Sequence, residues 1–200
     1  VSPIKQYALD SDLPILQPKT VNDPEFIESL KQNRPDVIIV VAFGQILSDT
    51  FLEIPKQFCI NLHSSLLPKY RGAAPIHRAI LNGEKKSGVT TIIMDKGMDT
   101  GDILLIQETP IHETDTAQTL HDTLSKMGGA LVLETLKRLV ENTLLPIQQD
   151  HSQVTYAAKL KKEEGLIHWG QSATTLSNQV RGLTPWPGTY TLLKNKRLRI

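Results

Sequence analysis

The sequence predicts an α/β fold built on a mainly parallel sheet. Two observations carry that expectation. Asp36-Val37-Ile38-Ile39-Val40-Val41-Ala42-Phe43-Gly44 is a continuous β-branched run that ends in glycine. It lacks period-two alternation, which marks a strand buried on both faces, as in a parallel sheet. Short runs of this kind also alternate along the chain with helical segments, the signature of strand-helix units.

The elements follow in order. Ser2-Pro3 before Ile4 to Leu9 fits a short helix, with Ser2 as its cap and proline in the first turn. Asp23-Pro24 opens a second helix that runs to about Gln32. After the run at 36–44, Phe58 to His63 is a second apolar strand. Pro75 starts a helix through Leu81, with Gly83 near its end. Val89 to Met94 and Ile103 to Ile106 read as further strands. Thr116 to about Asn142 is one long helix, with Leu120, Leu124, Met127, Leu131, Leu136 and Leu139 at helical spacing. Past residue 150 the composition changes. Val154 to Trp169 is charged and irregular, Ala173 to Arg181 reads as a helix, and strands at Thr189 to Leu193 and Leu198 to Ile200 flank a turn at Asn195.

Composition narrows the function classes. The 200 residues are 40% hydrophobic and 22% charged, enough apolar material for a core. Net charge is +1, so there is no global basic field, and any RNA contact must be local. A single cysteine, Cys59, precludes an internal disulfide framework and suits a reducing, cytoplasmic setting. No apolar run nears the roughly 18 residues of a membrane helix, so no membrane partner is expected. His77, His112, His121 and His151 lie at no metal-ligand spacing, and no metal is expected. The first residues, Val1-Ser2-Pro3-Ile4, include no Met and no signal-peptide pattern, and the last lie inside what reads as a strand pair. Both ends read as interior to a longer chain.

Two stretches carry candidate chemistry. Asn61 and His63 sit two apart at the end of a strand, so both side chains share one face. They can be strand-end polar residues satisfied by neighbours. They can also serve acyl-type transfer, with His63 moving a proton and the Asn61 amide holding an oxyanion. The second stretch, Met94-Asp95-Lys96-Gly97-Met98-Asp99-Thr100-Gly101-Asp102, is either a solvated acidic hairpin loop or the source of an acid that orients His63. Lys69 and Arg71 read as a solvated turn or as a contact for an anionic ligand. Lys159, Lys161 and Lys162 form a small basic cluster.

Together these stretches resemble the folate-dependent formyltransferase family. The resemblance rests on Asn61-Leu62-His63 with Ser65-Leu66-Leu67-Pro68, on Arg71-Gly72-Ala73-Ala74-Pro75-Ile76, and on Met98-Asp99-Thr100-Gly101-Asp102. It implies a Rossmann-like domain with Asn61, His63 and Asp99 as the catalytic group and 10-formyltetrahydrofolate as co-substrate. The folate would be held by Phe43, Gly44, Ile46, Leu47, Ser64, Ser65, Leu66, Pro68, Asp95 and Gly97. Ser2-Pro3-Ile4-Lys5, Thr155-Tyr156-Ala157-Ala158-Lys159-Leu160 and Pro185-Trp186-Pro187-Gly188-Thr189-Tyr190 are similar to the branch of the family that formylates the initiator methionyl-tRNA for protein biosynthesis. His168 departs from that branch, which usually has an acid there. The resemblance implies tRNA contacts from Lys69, Arg71, Lys159 and Arg181, and a monomer. It divides the chain into a catalytic domain at 1–150 that lacks its first strand-helix unit, a linker at 151–180, and the start of a β-barrel-like domain at 181–200. Rival readings are a formyltransferase with another acceptor, a catalytically silent folate-binding fragment, and a general nucleotide-binding domain. The last would want a Gly-x-Gly-x-x-Gly motif, which the chain lacks.

Overall fold

The computed structural model describes residues 1–200. Two helices come first, α1 (Pro3–Asp10) and α2 (Pro24–Asn33). Each starts on a proline, which has no N–H to leave unpaired. Each is capped from the residue before: Ser2 Oγ accepts from Lys5 N, and Asp23 Oδ1 accepts from the backbone of Glu25 and Phe26. Strand β1 (Val37–Val41) follows, then a single turn, α3 (Asp49–Leu52), and β2 (Phe58–His63). The turn α3 has too little apolar periodicity to be legible beforehand, but Ser48 caps it. Next come α4 (Pro75–Leu81), β3 (Lys86–Ile93), β4 (Ile103–Pro110) and the long α5 (Ala117–Val140). Thr116 and Thr119 close a reciprocal capping box at the start of α5. The chain ends with α6 (Ala173–Gly182) and a hairpin of β5 (Tyr190–Leu193) and β6 (Lys196–Arg199).

The domain is α/β, as expected, but its four-stranded sheet is mixed. In the order β1-β2-β3-β4, only β1 and β2 are parallel, while β2–β3 and β3–β4 are antiparallel. An unbroken apolar run reports burial and says nothing of strand direction. Nor is β1 buried on both faces. It lies at the sheet edge, its first four residues are half-buried, and Val41 is exposed.

Helix α5 supplies the core. Leu120, Leu124 and Leu131 are buried with Ile76, Ile80 and Val89 from α4 and β3. Each fully buried aliphatic side chain of this kind contributes about 1.5–3 kcal/mol. Gly128 lets the helix approach β2, because a Cβ there would stand 2.5 Å from Leu62 Cδ2. A buried hydroxyl relay fixes the register of helix on sheet. Thr135 donates to Leu131 O, Thr91 then donates to Thr135 Oγ1 at 2.9 Å, and Thr91 Oγ1 accepts from Leu105 N.

The charged stretch after residue 150 is irregular, as expected, yet it is tied down. Arg71 N donates to Thr155 O, and Ala157 N donates to Arg71 O. Arg78 on α4 holds the Glu164 carboxylate with two nitrogens, at 2.5 and 3.0 Å. Helix α6 packs on α4 where a Cβ at Gly182 would meet Leu81 at 2.9 Å. In the β5–β6 turn, Lys194 and Asn195 both adopt positive φ, which suits the right-handed twist of a two-residue hairpin.

Candidate active site

The site is built at one edge of the sheet. Val41 pairs in register with Leu62, so β1 and β2 deliver their C-terminal ends side by side. In open α/β sheets that edge carries the ligand crevice. The loop after β1 holds Phe43, Gly44 and Ile46, all exposed, with Ile46 at 89%. Asn22 braces this loop by donating to Ile46 O and accepting from Ser48 N. Leu47 turns inward and packs on the Ile27, Phe51 and Cys59 cluster.

His63 ends β2 and is buried at 6% exposure. Its Nε2 lies 2.9 Å from the Tyr70 carbonyl. A carbonyl only accepts, so Nε2 carries a proton and Nδ1 faces the site. Tyr70 is itself anchored. Its hydroxyl donates to Glu84 and accepts from Asn82, and burial, with Glu84 adding to it, raises its pKa to about 12. Thr90 clamps the intervening loop by donating to Ser65 O and accepting from Leu67 N.

The loop between β3 and β4 brings the third member. Asp95 Oδ1 accepts from Gly97 N and Thr100 Oγ1, closing a tight turn. Gly101 passes so close to the backbone that a Cβ there would stand 1.7 Å from Ile93 O. Asp99 adopts φ +54°, and its carboxylate aims back at β2. Oδ1 accepts from Asn61 Nδ2 at 3.3 Å. Oδ2 accepts from Gly72 N at 2.8 Å and stands 3.6 Å from His63 Nδ1. That last distance is longer than a direct hydrogen bond and too short for a water between the two atoms, so a small side-chain movement would close the pair on a shared proton. Asn61, His63 and Asp99 are thus brought together, from positions 38 and 36 residues apart in the chain.

Other expected site residues have different placements. Ser65 is 1% exposed and its hydroxyl donates to Lys69 O. Ser64, Leu66 and Pro68 are half-buried in the same loop, with Leu66 set against Gly88. Asp95 and Gly97 are exposed, and the sequence demands them for the turn, since a Cβ at Gly97 would stand 1.9 Å from Thr100 Oγ1. Lys69 and Lys159 are exposed. Arg71 does not lie in a solvated turn. It is 2% exposed, and its Nε and Nη2 both donate to Gln149 Oε1. Arg181 is likewise drawn inward and donates to the carbonyls of His112 and Asp115 and to Asn178.

Gln149 was not legible as a site residue. It donates to Asp99 O at 2.8 Å and to Gly101 O at 2.7 Å. A lone glutamine in the irregular segment after α5 carries no motif. No three His, Cys, Asp or Glu side chains come together in metal-holding geometry, and no helix is long and apolar enough to cross a membrane. A hollow of about 400 Å³ between the end of α4 and the start of α6 is lined by Leu81 and Ile111 along with mostly polar residues, and Asp99 is not part of its wall.

A carboxylate, an amide and an imidazole at one sheet edge, on a mixed α/β fold, define a class. Residues 2–136 match the formyl transferase family and residues 159–200 match the formyl transferase C-terminal domain, so the chain belongs to the formyl transferase family. Among its relatives, the methionyl-tRNA formyltransferase of Citrifermentans bemidjiense is 50% identical over 198 residues, covering 99% of this chain and 62% of that protein. The methionyl-tRNA formyltransferase of Caldanaerobacter subterraneus subsp. tengcongensis is 51% identical over 200 residues, covering all of this chain and 65% of that protein. The chain therefore spans somewhat less than two thirds of these relatives' length. Among solved structures, HypX from Aquifex aeolicus in complex with tetrahydrofolic acid superposes with a TM-score of 0.73 at 19% identity, over 87% of this chain and 30% of that one.

Proposed function

We propose that this chain carries the centre that transfers a formyl group from 10-formyltetrahydrofolate to the α-amino group of initiator methionyl-tRNA. The observation that carries the reading is the Asp99 carboxylate, which accepts from Asn61 and Gly72 while facing His63 Nδ1. The acceptor is argued from likeness to relatives that bear the name methionyl-tRNA formyltransferase, and the folate from a fold shared with a protein crystallised with tetrahydrofolic acid.

In this reading the amine nitrogen attacks the formyl carbon and a C–N bond forms. The carbonyl oxygen becomes an oxyanion. Asn61 donates one amide hydrogen to Asp99 and keeps the other for that oxygen. The attacking nitrogen sheds a proton toward the His63 and Asp99 pair, directly or through a water beside the two side chains. The bond from the formyl carbon to the folate nitrogen then breaks, and that nitrogen takes up the proton. Products are formyl-methionyl-tRNA and tetrahydrofolate. No side chain forms a covalent intermediate.

The test is transfer of labelled formyl from 10-formyltetrahydrofolate by this chain to methionyl initiator tRNA, with a sugar-nucleotide amine as the competing acceptor. Transfer to the tRNA alone supports the reading. Transfer to the sugar amine alone assigns a different acceptor. Folate binding by calorimetry without any transfer makes the chain a binding module and rejects the reading.

A further inference from the structure

We propose that Gln149 and Arg71 are positioning residues that hold Asp99 in its working conformation. Arg71 is an always-charged group at 2% exposure, and Nε and Nη2 converge at 3.1 and 2.6 Å on one neutral amide oxygen, Gln149 Oε1. Burying a guanidinium against an amide is a poor way to gain stability, because a neutral partner offsets little of the desolvation cost. A glutamate at 149 would pair with that charge better.

What the amide offers, and a carboxylate lacks, is a pair of donors. Arg71 has only donors, so it draws the Gln149 oxygen to itself and turns the NH₂ group the other way. That group donates to Asp99 O at 2.8 Å and Gly101 O at 2.7 Å. It thereby spans the residue at φ +54°, a left-handed conformation that Asp enters more readily than most residues, and these bonds hold it there. The adjacent residue completes the grip, since Gly72 N holds the Asp99 carboxylate itself at 2.8 Å. Asp99 is thus held by its backbone through Arg71 and Gln149, and by its side chain through Gly72. Gln149 is 3% exposed and its side chain bonds only to Arg71, Asp99 and Gly101, so its action runs through Asp99.

The catalytic consequence rests on the formyl-transfer reading, whereas the positioning itself does not. Gln149→Glu separates the two roles of the residue. It gives Arg71 a carboxylate and removes both donors to the loop. We expect a melting temperature at or above that of the wild type. The Asn61 side-chain amide signal in ¹H–¹⁵N spectra, assigned by its loss in Asn61→Asp, should shift as its bond to Asp99 loosens. kcat should fall on the order of 10- to 100-fold with KM for folate unchanged, the scale of a misplaced catalytic group. If Gln149→Glu does not fold, the double variant Arg71→Met/Gln149→Met removes the buried charge and the amide together at similar volume, and the same signals are read. An unmoved Asn61 signal and an unchanged kcat in a folded variant would overturn the proposal. Should the wild type transfer no formyl group, that reading fails by itself, and the Asn61 signal alone decides the positioning role.

Discussion

Asp99 Oδ2 stands 3.6 Å from His63 Nδ1, while the other nitrogen of that ring is held by the Tyr70 carbonyl. The relationship directs the reactive side of the imidazole toward the one carboxylate that also orients Asn61. Replacing Asp99 with Asn tests it with little change of shape. Asparagine tolerates positive φ better than most residues, so the loop should keep its path. Its amide, however, has a single acceptor oxygen, so either Asn61 Nδ2 or Gly72 N is left facing an NH₂ donor. Formyl transfer should fall by about 10²–10⁴-fold, the usual worth of a group that serves proton transfer or oxyanion binding. Steady-state kinetics beside a thermal melt check this. A full-rate Asp99→Asn enzyme would remove Asp99 from the mechanism.

Much of this arrangement is legible in the sequence because it depends on local rules. Period two along Phe58–His63 puts Asn61 and His63 on one face, and Asp95, Gly97 and Gly101 announce a tight turn. The elements Pro24–Asn33, Phe58–His63 and Pro75–Leu81 agree with their proline, cap and periodicity signals. What escaped was long-range. Arg71 and Gln149 are 78 residues apart, and no local pattern shows that a loop arginine is buried against a glutamine. Strand direction escaped for the same reason, since it depends on where α4 sends the chain and not on the apolar content of β1 or β3.

Gly101 should tolerate no side chain. A Cβ there would stand 1.7 Å from the Ile93 carbonyl, a backbone atom at the end of β3 that cannot rotate away. Gly101→Ala is expected to cost about 1–3 kcal/mol, the range for overpacking a tight site. It should also displace Asp99 and lower the transfer rate. Gly129→Ala on α5 is the control, because nothing lies within 4 Å of its would-be Cβ. Denaturant melts of the two variants compare them directly, and equal stability would refute the close approach.

Cys59 should be silent until the protein unfolds. It is 1% exposed within the Ile27 and Phe51 cluster, and burial raises its thiol pKa to about 11. Only the thiolate attacks disulfide reagents, so both accessibility and ionisation oppose reaction at neutral pH. Under native conditions labelling should proceed at the rate of global or local opening, and in denaturant at the rate of a free thiol. Rapid stoichiometric labelling of the native protein would show that the cluster under α2 and α3 is open to solvent.

The Arg78–Glu164 pair makes stability depend on acid pH. The Arg78 hydrogen bond lowers the Glu164 pKa below its ordinary value of 4.5, with the Lys161 backbone N–H adding to it. A carboxyl with a depressed folded-state pKa binds its proton more readily when unfolded, so stability rises with pH across the interval between the two values. The contribution is fully present above 4.5 and is lost as pH falls through the lower folded-state value. Glu164→Gln should therefore lower the melting temperature at pH 7 relative to the wild type, and the difference should shrink below pH 4.5. Both side chains keep some solvent contact, so the effect should also weaken in high salt. Because the bond ties α4 to the 162–165 turn, the variant should loosen the chain after residue 150 first. Limited proteolysis within 155–170 at neutral pH reads that loosening. An unchanged cleavage pattern together with a melting difference that does not vary with pH would show that the pair contributes nothing to holding this segment on α4.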